Sequence, residues 1–547
     1  MTNDDIASIL ELTVKLMDLH EENPFKSKSY ASAAYRIEKL ATPLEGKSLA
    51  ELQALPELGK STASVVDEIL RTGTWSTLQE LLTKTPKGIL EMMRIKGLGP
   101  KKVKSIWTQL NIETPGELLY AIQEQRLSTL KGFGEKTQAD LEKAITFFLA
   151  HQGKFHYAEG EEILRILLPI LQNAFPTIKI ESYGATRRKS NVLEQISIAG
   201  DDSMMLPLGT YSHYPSLVIE SCDETSWTGQ IADKYKIQYT AISKSDFYKD
   251  IWMSSASEEH IAGIKLAQTF NSEEEIYITN GLAFHPSECR EFGNKWDENY
   301  INGLVQDKDI RGVIHNHSTY SDGKNTVEEM AMACKKAGYE YLVMSDHSQT
   351  AAYAGGMGMD KVFSQFKTID QWNAKHPDFR IYKSVESDIL TDGSLDYTDE
   401  ELTAFDLIIV SVHAGLKMDE ATAMQRLIRA IEHPSTRILG HMTGRLLLSR
   451  PGYPIDHKKI IDACAANKVA IEINASPYRL DIDWRWLQYA QEKGVWISIN
   501  PDAHSIDGIH DIHWGVISGR KGGLLKSNTL NALDLNDFED WRKNFKK

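Results

Sequence analysis

The feature that most constrains the fold is a series of apolar segments in the C-terminal half, each of which ends in histidine or a carboxylate. The first, Gly312–His317, ends in two histidines that would lie on one side of a strand, because strand side chains alternate. The segments with this plan are 312–317, 341–347, 385–386, 409–413, 438–441 and 496–504. Helical patterns separate them, so the region 308–547 is predicted to be a barrel-like α/β domain with parallel strands.

The polar residues at these strand ends predict a metal site. In an α/β barrel the C-terminal strand ends face one mouth, where catalysis takes place. Histidines together with carboxylates, without thiolates, suit manganese, zinc or iron. A single histidine at a strand end is usually structural, but so many at successive ends favour metal binding. The residues are His315, His317, Asp322, His347, Glu386, His413, His441, Asp502 and His504.

A short glycine motif occurs three times in the N-terminal part of the chain, which otherwise has helical periodicity. Its copies carry Gly59 and Lys60, then Gly97, Gly99, Lys101 and Lys102, and then Gly132, Gly134 and Lys136. Each copy lies between two helical patterns, as in a helix-hairpin-helix. Glycine permits a tight turn, and the following helix N-terminus and lysines can hold a phosphate. A single copy would be an ordinary helical turn, whereas three copies predict sequence-independent binding of the DNA backbone.

The segment between these two regions has a mixed pattern. The stretches 178–184, 195–198 and 237–242 resemble strands, 161–174 is helical, and the polar stretch 294–299 is a candidate linker. A chain of 547 residues is too long for a single core. We therefore expect several domains, with boundaries at 1–85, 86–153, 154–235, 236–300 and 308–547.

Composition is that of an ordinary globular protein of the cytoplasm. The first residues lack the basic and apolar regions of a signal peptide, and no apolar run approaches the roughly 20 residues of a membrane helix. The four cysteines are scattered, which disfavours a disulfide framework or a thiolate zinc site. The net charge of −15 argues against coating of nucleic acid by bulk attraction but leaves local phosphate contacts open. We expect a monomer that binds no membrane and reaches the nucleoid through DNA.

The C-terminal segments resemble the PHP (polymerase and histidinol phosphatase) domain, and four longer motifs resemble that domain in bacterial PolX proteins. These motifs are 394–397, 440–445, 450–454 and 502–505. Met442 stands where that family usually has proline, and Ser384 where it usually has glycine, but neither change removes a ligand. The resemblance covers nearly the whole chain. It implies helix-hairpin-helix, palm-like and thumb-like regions ahead of a distorted TIM-like PHP barrel.

The resemblance also implies three divalent ions in the barrel mouth, with manganese or zinc expected first and iron as an alternative. The ligands would be His315, His317, Glu386 and Asp502 for the first ion, Glu386, His413 and His441 for the second, and Asp322, His347 and His504 for the third. Clustered ions stabilise the charge that develops on a phosphate under attack, so Glu386 and Asp502 are candidate catalytic residues. Arg445 is a candidate phosphate clamp or an ordinary surface arginine.

The palm-like segment lacks the carboxylates that nucleotidyl transfer requires. Family X polymerases carry a glycine-serine turn with an arginine, and three aspartates that hold two magnesium ions about 4 Å apart. Gly184 and Arg188 remain in this chain. Gln195 and Ser197 stand at the paired aspartates, and Tyr239 stands at the third. DNA synthesis is therefore predicted to be lost.

Together these features predict a DNA-binding, metal-dependent 3′-5′ exonuclease in DNA repair, with cleavage at abasic sites as a further candidate activity. A second hypothesis is a phosphatase that hydrolyses small phosphate monoesters at the same metals, as histidinol phosphatases do. The three glycine motifs argue against it, because a small substrate needs no contact with a duplex backbone. A third hypothesis is a DNA-binding scaffold without catalysis, which the complete ligand set argues against.

Overall fold

The computed structural model describes the whole chain except residues 41, 57, 124–125, 203–216, 267–268 and 545–547. Glu57 of the first glycine motif therefore lies outside the described residues. The chain divides into two compact units, Met1–Gln152 and Gly153–Lys547. The first two predicted domains correspond to the first unit and the other three to the second, so the finer boundaries stay predictions.

The first unit is helical, as its periodicity predicts. Its helices are α1 Asn3–Leu19, α2 Pro24–Glu38, α3 Leu49–Ala54, α4 Lys60–Thr72, α5 Ser76–Thr83, α6 Lys87–Met92, α7 Pro100–Leu110, α8 Pro115–Gln123 and α9 Glu135–His151. The sequence sets several helix starts. Thr2 and Asp5, for example, form a capping box in which each side chain accepts from the other's backbone N–H. Ile6, Val66, Val103 and Ile145 belong to one buried cluster, so both predicted N-terminal domains share a single core.

The second unit begins with a small twisted sheet covered by helix α10, which we call the palm-like sheet. The elements of this region are β1 Phe155–His156, α10 Tyr157–Ala174, β2 Ile180–Ser182, α11 Gly184–Arg187, β3 Val192–Leu193, β4 Ile196–Gly200, β5 Leu217–Cys222, β6 Ser226–Ile231 and β7 Tyr235–Ala241. Strands β1 and β3 pair with each other, and the other five form the palm-like sheet. The strand order is β2-β4-β7-β6-β5. Strands β4 and β7 run parallel, and the other neighbours are antiparallel. The three predicted strands correspond to β2, β4 and β7.

Short helices connect this sheet to the C-terminal barrel. They are α12 Phe247–Ser254, α13 Glu258–Ile261, α14 Glu273–Thr279 and α15 Glu298–Asn302. Helix α15 begins inside the predicted linker. Asp297 starts it as the N-cap, since its side chain accepts from the backbone N–H of Tyr300.

The C-terminal region forms a nearly closed barrel of seven parallel strands, which confirms the predicted architecture. Its elements are β8 Gly312–Asn316, α16 Val327–Lys336, β9 Tyr341–Met344, α17 Met359–Lys375, β10 Arg380–Asp388, α18 Asp399–Leu402, β11 Leu407–Ser411, α19 Glu420–Glu432, β12 Ile438–Leu439, α20 His457–Asn467, β13 Ala470–Asn474, α21 Leu487–Glu492, β14 Ile497–Asn500, α22 Ile512–Lys521 and α23 Leu535–Lys543. The strands follow chain order from β8 to β14. A parallel bridge between Asn316 and Ala503 joins the ends of the first and last strands.

Six of the seven barrel strands are buried along their whole length, and only Arg380 and Lys383 near the start of β10 reach the surface, as helices on the outer face require. Helix α22 also packs outward against the palm-like sheet, where Ile517 joins that sheet's buried cluster. Lys521 at the end of α22 is buried, and its Nζ lies 2.6 Å from Glu291 Oε1 and donates to Arg188 O at 2.8 Å. The palm-like sheet and the barrel are therefore packed together within one unit. No helix among the described residues is long and apolar enough to cross a membrane.

Candidate metal centre and nucleic-acid contacts

The predicted metal ligands all come together at the C-terminal mouth of the barrel. His315 and Glu386 lie near the ends of β8 and β10, and the others lie in the loops that follow β8, β9, β11, β12 and β14. The backbone of two ligands is unusual, because His315 and Asp502 have φ values of 66° and 52°. Non-glycine residues seldom adopt such values, and they are found most often at functional sites.

Glu386 lies in the middle of the cluster and is fully buried. Five histidine rings lie next to its two carboxylate oxygens. Oε1 lies 3.3 Å from Nε2 of His315 and 3.1 Å from Nε2 of both His413 and His441. Oε2 lies 3.0 Å from Nδ1 of His347 and 3.7 Å from Nε2 of His317. Burial alone would raise the pKa of Glu386, but the charges of His413 and His315 hold that pKa well below its usual value. The carboxylate is therefore ionised, and histidines face both of its oxygens.

Three groups of side chains in this cluster have ligand atoms within 4.8 Å of one another. The groups are His317, Asp322, His347 and His504, then His315, His317 and Asp502, and then His347, Glu386 and His413. The three groups resemble the three predicted ligand sets, but His317 and His347 each belong to two groups. His441 contacts Glu386 without joining a group.

The donor set fits divalent cations. His315 Nε2, His317 Nδ1, His347 Nδ1 and Glu386 Oε2 are buried atoms that make no hydrogen bond of acceptable geometry, although histidine nitrogens and Glu386 oxygens lie close to one another. Such unpaired polar atoms are costly in a protein interior unless an ion or water satisfies them. Imidazole and carboxylate ligands without thiolate suit manganese, zinc or iron, as the sequence predicts.

Two buried carboxylates that the sequence analysis missed hold the ligand rings in place. Glu472 Oε2 accepts from His315 Nδ1 at 2.6 Å, and Glu472 Oε1 accepts from the backbone N–H of His441 at 3.0 Å. Asp388 likewise accepts from Nδ1 of His413. A carboxylate on one ring nitrogen fixes the tautomer and leaves the other nitrogen free to bind a metal.

A third buried carboxylate orders the loop after β8. Asp346 accepts from the backbone N–H and hydroxyl of Ser318 at 2.8 and 2.7 Å, and from the backbone N–H of Ser321 at 3.0 Å. Gln365 Nε2 donates to Asp346 Oδ2, the oxygen that also accepts from the hydroxyl of Ser318. Because this loop carries His317 and Asp322, Asp346 holds two ligands without contacting them.

The contacts of Arg445 do not support a role as phosphate clamp. Its Nη1 lies 2.7 Å from Asp483 Oδ2, its Nε donates to Arg479 O at 2.9 Å, and its Nη2 donates to Leu480 O. The guanidinium is thus committed to internal acceptors. Arg479 is the arginine that reaches the metal centre, with Nε 3.9 Å from Asp502 Oδ2. Arg445 holds the turn from which Arg479 extends.

The three glycine motifs of the first unit share one backbone geometry. In each, the apolar residue before the last glycine of the motif is buried and donates a turn hydrogen bond: Leu58 to Leu55 O, Leu98 to Ile95 O and Phe133 to Leu130 O, at 3.1, 3.0 and 3.3 Å. That glycine, Gly59, Gly99 or Gly134, is then the N-cap of α4, α7 or α9 and offers no side-chain cap. Gly97 and Gly132 have φ values of 93° and 91°, which favour glycine.

The predicted lysine contacts differ in their surroundings. Lys60, Lys101 and Lys136 are exposed beside the uncapped helix starts. Lys102 instead folds back, and its Nζ donates to Gly97 O at 3.1 Å. Helix starts with exposed backbone N–H groups and lysines are suited to phosphate, so this geometry supports the predicted DNA contacts.

The palm-like sheet carries amides and hydroxyls where a polymerase would need carboxylates. Gln195 Nε2 donates to Gln238 Oε1 at 2.7 Å and to Ser197 Oγ at 3.3 Å. The nearby Glu194 is exposed and lies 3.1 Å from Lys154 Nζ. Neutral side chains that satisfy one another in this way have little capacity to displace water from two hard cations.

The register of the sheet corrects the placement of Tyr239. Strands β4 and β7 pair Ser197 with Gln238 and Ile198 with Tyr239. Because paired residues face the same side, Gln238 lies beside Ser197, and Tyr239 points into the buried apolar cluster. The position that faces Gln195 and Ser197 is thus held by glutamine.

The retained Gly184 and Arg188 also serve structural contacts. Gly184 has φ 62° and donates to Ser255 Oγ at 3.0 Å. Arg188 Nη1 donates to Ala256 O at 3.2 Å, and its Nε lies 3.7 Å from Glu291 Oε1. The arginine expected to bind a triphosphate is therefore occupied by contacts within the chain.

Comparisons with known proteins agree with this division of the chain. A helix-hairpin-helix domain model matches residues 1–75, a SAM-like helix-hairpin-helix tandem model matches 89–141, and a PHP domain model matches 314–476. The DNA polymerase/3′-5′ exonuclease PolX of Bacillus subtilis (strain 168) is 32% identical over 99% of this chain and 100% of its own length.

Other relatives match a smaller part of the chain. A probable phosphatase of Vibrio atlanticus (strain LGP32) is 28% identical and covers 36% of this chain and 79% of its own length. The probable phosphatase YcdX of Escherichia coli (strain K12 / DH10B) is 24% identical and covers 35% of this chain and 78% of its own length.

Proposed function

The chain belongs to the PolX family, and from that membership we propose that it is a DNA-processing, metal-dependent hydrolase that degrades DNA from the 3′ end. The observation that carries the proposal is Glu386, whose two oxygens each face several histidines. One carboxylate can then serve two cations, which is the arrangement that phosphodiester cleavage uses.

The three side-chain groups of the mouth would hold three divalent ions, with manganese or zinc preferred. His315, His317 and Asp502 would hold one together with Glu386, which would bridge to a second completed by His413 and His441. Asp322, His347 and His504 would hold the third. Ions bound there would stabilise the negative charge that develops on the phosphate.

The residues around the ligands prepare the site for a phosphodiester. Glu472 and Asp388 orient the rings of His315 and His413, so these ligands lose little entropy when a metal binds. Arg479 places a fixed cation beside Asp502, where it can contact a phosphate oxygen of the substrate. The three glycine motifs would hold the DNA backbone without regard to sequence.

The experiment is a digestion series with the full chain and Mn²⁺, with zinc and iron tested in parallel. Oligonucleotides labelled at the 5′ end should give a ladder that shortens from the 3′ end, and EDTA should abolish it. Single-stranded, duplex, gapped and abasic substrates would rank the preferred DNA structure. Release of internal fragments from abasic DNA alone would show an endonuclease rather than an exonuclease.

The phosphatase relatives support a second candidate function, hydrolysis of a small phosphate monoester at the same centre. p-Nitrophenyl phosphate in the same series separates the two. Rapid monoester hydrolysis without shortening of any oligonucleotide would favour the phosphatase. We further propose that template-directed synthesis is absent, because the palm-like sheet holds Gln195, Ser197 and Gln238 where carboxylates are required.

A further inference from the structure

Contacts within the barrel fix the turn from which Arg479 extends. At the mouth, Arg479 Nε lies 3.9 Å from Asp502 Oδ2. Behind it, the guanidinium of Arg445 donates to Arg479 O at 2.9 Å, and the backbone N–H of Leu447 donates to Tyr478 O at 2.6 Å. The loop after β12, which carries Arg445 and Leu447, therefore determines where the backbone of Arg479 lies.

The palm-like region contacts this turn and the loop beside it through His156. The residue is 9% exposed, and its Nε2 lies 3.3 Å from Leu447 O, within hydrogen-bond distance. Its ring also meets the ring of Tyr478 edge-on, with centroids 4.8 Å apart. One side chain from outside the barrel thus contacts both the residue before Arg479 and the residue that holds it in place.

A carboxylate of the palm-like region holds the His156 ring in its orientation. Glu159 Oε2 accepts from the backbone N–H of His156 at 2.9 Å and lies 3.2 Å from its Nδ1. The other oxygen, Oε1, accepts from the hydroxyl of Tyr235 at 2.9 Å and pairs with Lys234. Burial alone would raise the pKa of Glu159, but hydrogen bonds from His156 and Lys234 hold that pKa well below its usual value. The ionised carboxylate therefore orients the ring so that Nε2 faces the barrel.

We propose that His156 is a positioning residue for hydrolysis at the mouth, because it holds Leu447 and Tyr478 where Arg479 can meet the phosphate of the substrate. The inference rests on the proposed function and extends it to a residue outside the barrel. His156 acts through Arg479 and not on the reacting atoms. Displacement of such a cation is costly, since a shift of about 1 Å in a group that positions substrate can lower a rate about 100-fold.

The test is a double-mutant cycle on the full chain with Mn²⁺ and thymidine 5′-(p-nitrophenyl phosphate), a diester small enough to contact the mouth alone. His156→Ala should lower kcat/KM about tenfold, because a hydrogen bond that fixes the loop is lost. Arg479→Ala should lower it further. In the Arg479→Ala background, His156→Ala should change kcat/KM by less than about twofold. Losses that multiply in the double variant would show that His156 does not act through Arg479, and the proposal would be wrong.

Two further variants separate the hydrogen bond from packing. His156→Gln presents an amide donor to Leu447 O and should recover most of the activity. His156→Phe keeps a ring against Tyr478 without the donor and should resemble His156→Ala, so full activity in this variant would contradict the proposal. His433→Ala is the matched control and should leave kcat/KM unchanged, because His433 ends α19 ahead of β12, on the N-terminal side of the barrel.

Hydrogen exchange of the metal-free chain supplies a readout that needs no activity. In His156→Ala, peptides 445–449 and 476–480 should exchange faster, and α20 should exchange as before. Unchanged exchange in both loops, or faster exchange throughout Gly153–Lys547, would overturn the proposal. If the unaltered chain cleaved neither the diester nor DNA, the proposed function would fail, and the exchange result would still decide whether His156 holds the turn of Arg479.

Discussion

The palm-like sheet and the barrel mouth both gather polar side chains on neighbouring strands, but they do so with opposite chemistry. At the mouth, the buried Glu386 and the partly buried Asp502 are carboxylates surrounded by histidines. In the sheet, Gln195, Ser197 and Gln238 are neutral and hydrogen-bond to one another. Within the described residues, the mouth has buried ligand atoms that cations would satisfy, whereas the amides and the hydroxyl of the sheet satisfy one another.

This difference shows which interactions a protein must keep in order to retain a buried metal site. Buried carboxylates are costly unless each is paired, so a cluster of them persists only with its whole set of partners. Replacement of aspartates by amides removes that cost and leaves a sheet that folds without ions. We therefore expect substitutions at the mouth to have large effects on metal binding and cleavage, and substitutions in the palm-like sheet to have little effect on either.

The largest expected effect is from Glu386→Gln. The amide offers one oxygen but bridges two cations poorly and leaves their repulsion uncompensated. We expect 3′-5′ cleavage to fall more than about 100-fold and bound metal per chain to drop, with DNA affinity of the first unit unchanged. Metal analysis and a gel assay measure both. Gln195→Ala, the matched change in the palm-like sheet, should leave cleavage intact, and full activity in Glu386→Gln would place the chemistry elsewhere.

The next effect concerns a carboxylate that binds no metal itself. Glu472→Gln turns an acceptor for His315 Nδ1 into a group that can present a donor, so the ring loses its fixed tautomer. Metal affinity should fall about 10- to 100-fold. A titration with Mn²⁺ or Zn²⁺ followed by calorimetry measures it, beside Glu400→Gln at an exposed position. Equal affinities in both variants would mean that the ring is held by other contacts.

A smaller effect is expected in the glycine motifs. Lys101→Ala should lower DNA affinity of the fragment 1–152 severalfold and reduce the slope of log affinity against log salt by about one, because one phosphate contact is lost. Lys102→Ala should in addition weaken folding, since Lys102 holds the turn at Gly97 O. Lys143→Ala on α9 is the control. A fragment that ignores DNA at low salt would make the motifs purely structural.

The last prediction concerns the palm-like sheet of the unaltered protein. We expect no primer extension on a gapped template with any divalent ion. The reason is that amides and hydroxyls do not hold two magnesium ions against water. Labelled nucleotide incorporation measures it directly. Template-directed incorporation that persisted in Glu194→Ala would overturn the assignment of this sheet as inactive.

The barrel was predictable from the sequence, and so was the grouping of its candidate ligands, because most of them stand where an apolar strand ends. His315 and His413 are recognisable in that way without any tertiary information. Glu472 was missed, although its alternation with Asn474 inside an apolar strand is a signal for a buried polar face. Such a carboxylate needs a partner, and the partner, His315, is far away in the chain.

The surroundings of two residues were not predictable, for the same physical reason. The role of Arg445 depends on which acceptors its guanidinium meets, and these include carbonyls of residues more than thirty positions away. Tyr239 was assigned to the third aspartate position, but a shift of one residue moves a side chain to the other face of the sheet. Pairing register and long-range side-chain contacts are not visible in a single sequence.

The buried ion pair at the end of α22 gives the palm-like region a structural role that does not depend on catalysis. Lys521 of the barrel is paired with Glu291 and donates to the carbonyl of Arg188. Excision of the palm-like segment would leave this buried cation without both partners and would uncover Ile517. The palm-like region therefore covers part of the barrel surface whether or not it has a reaction of its own.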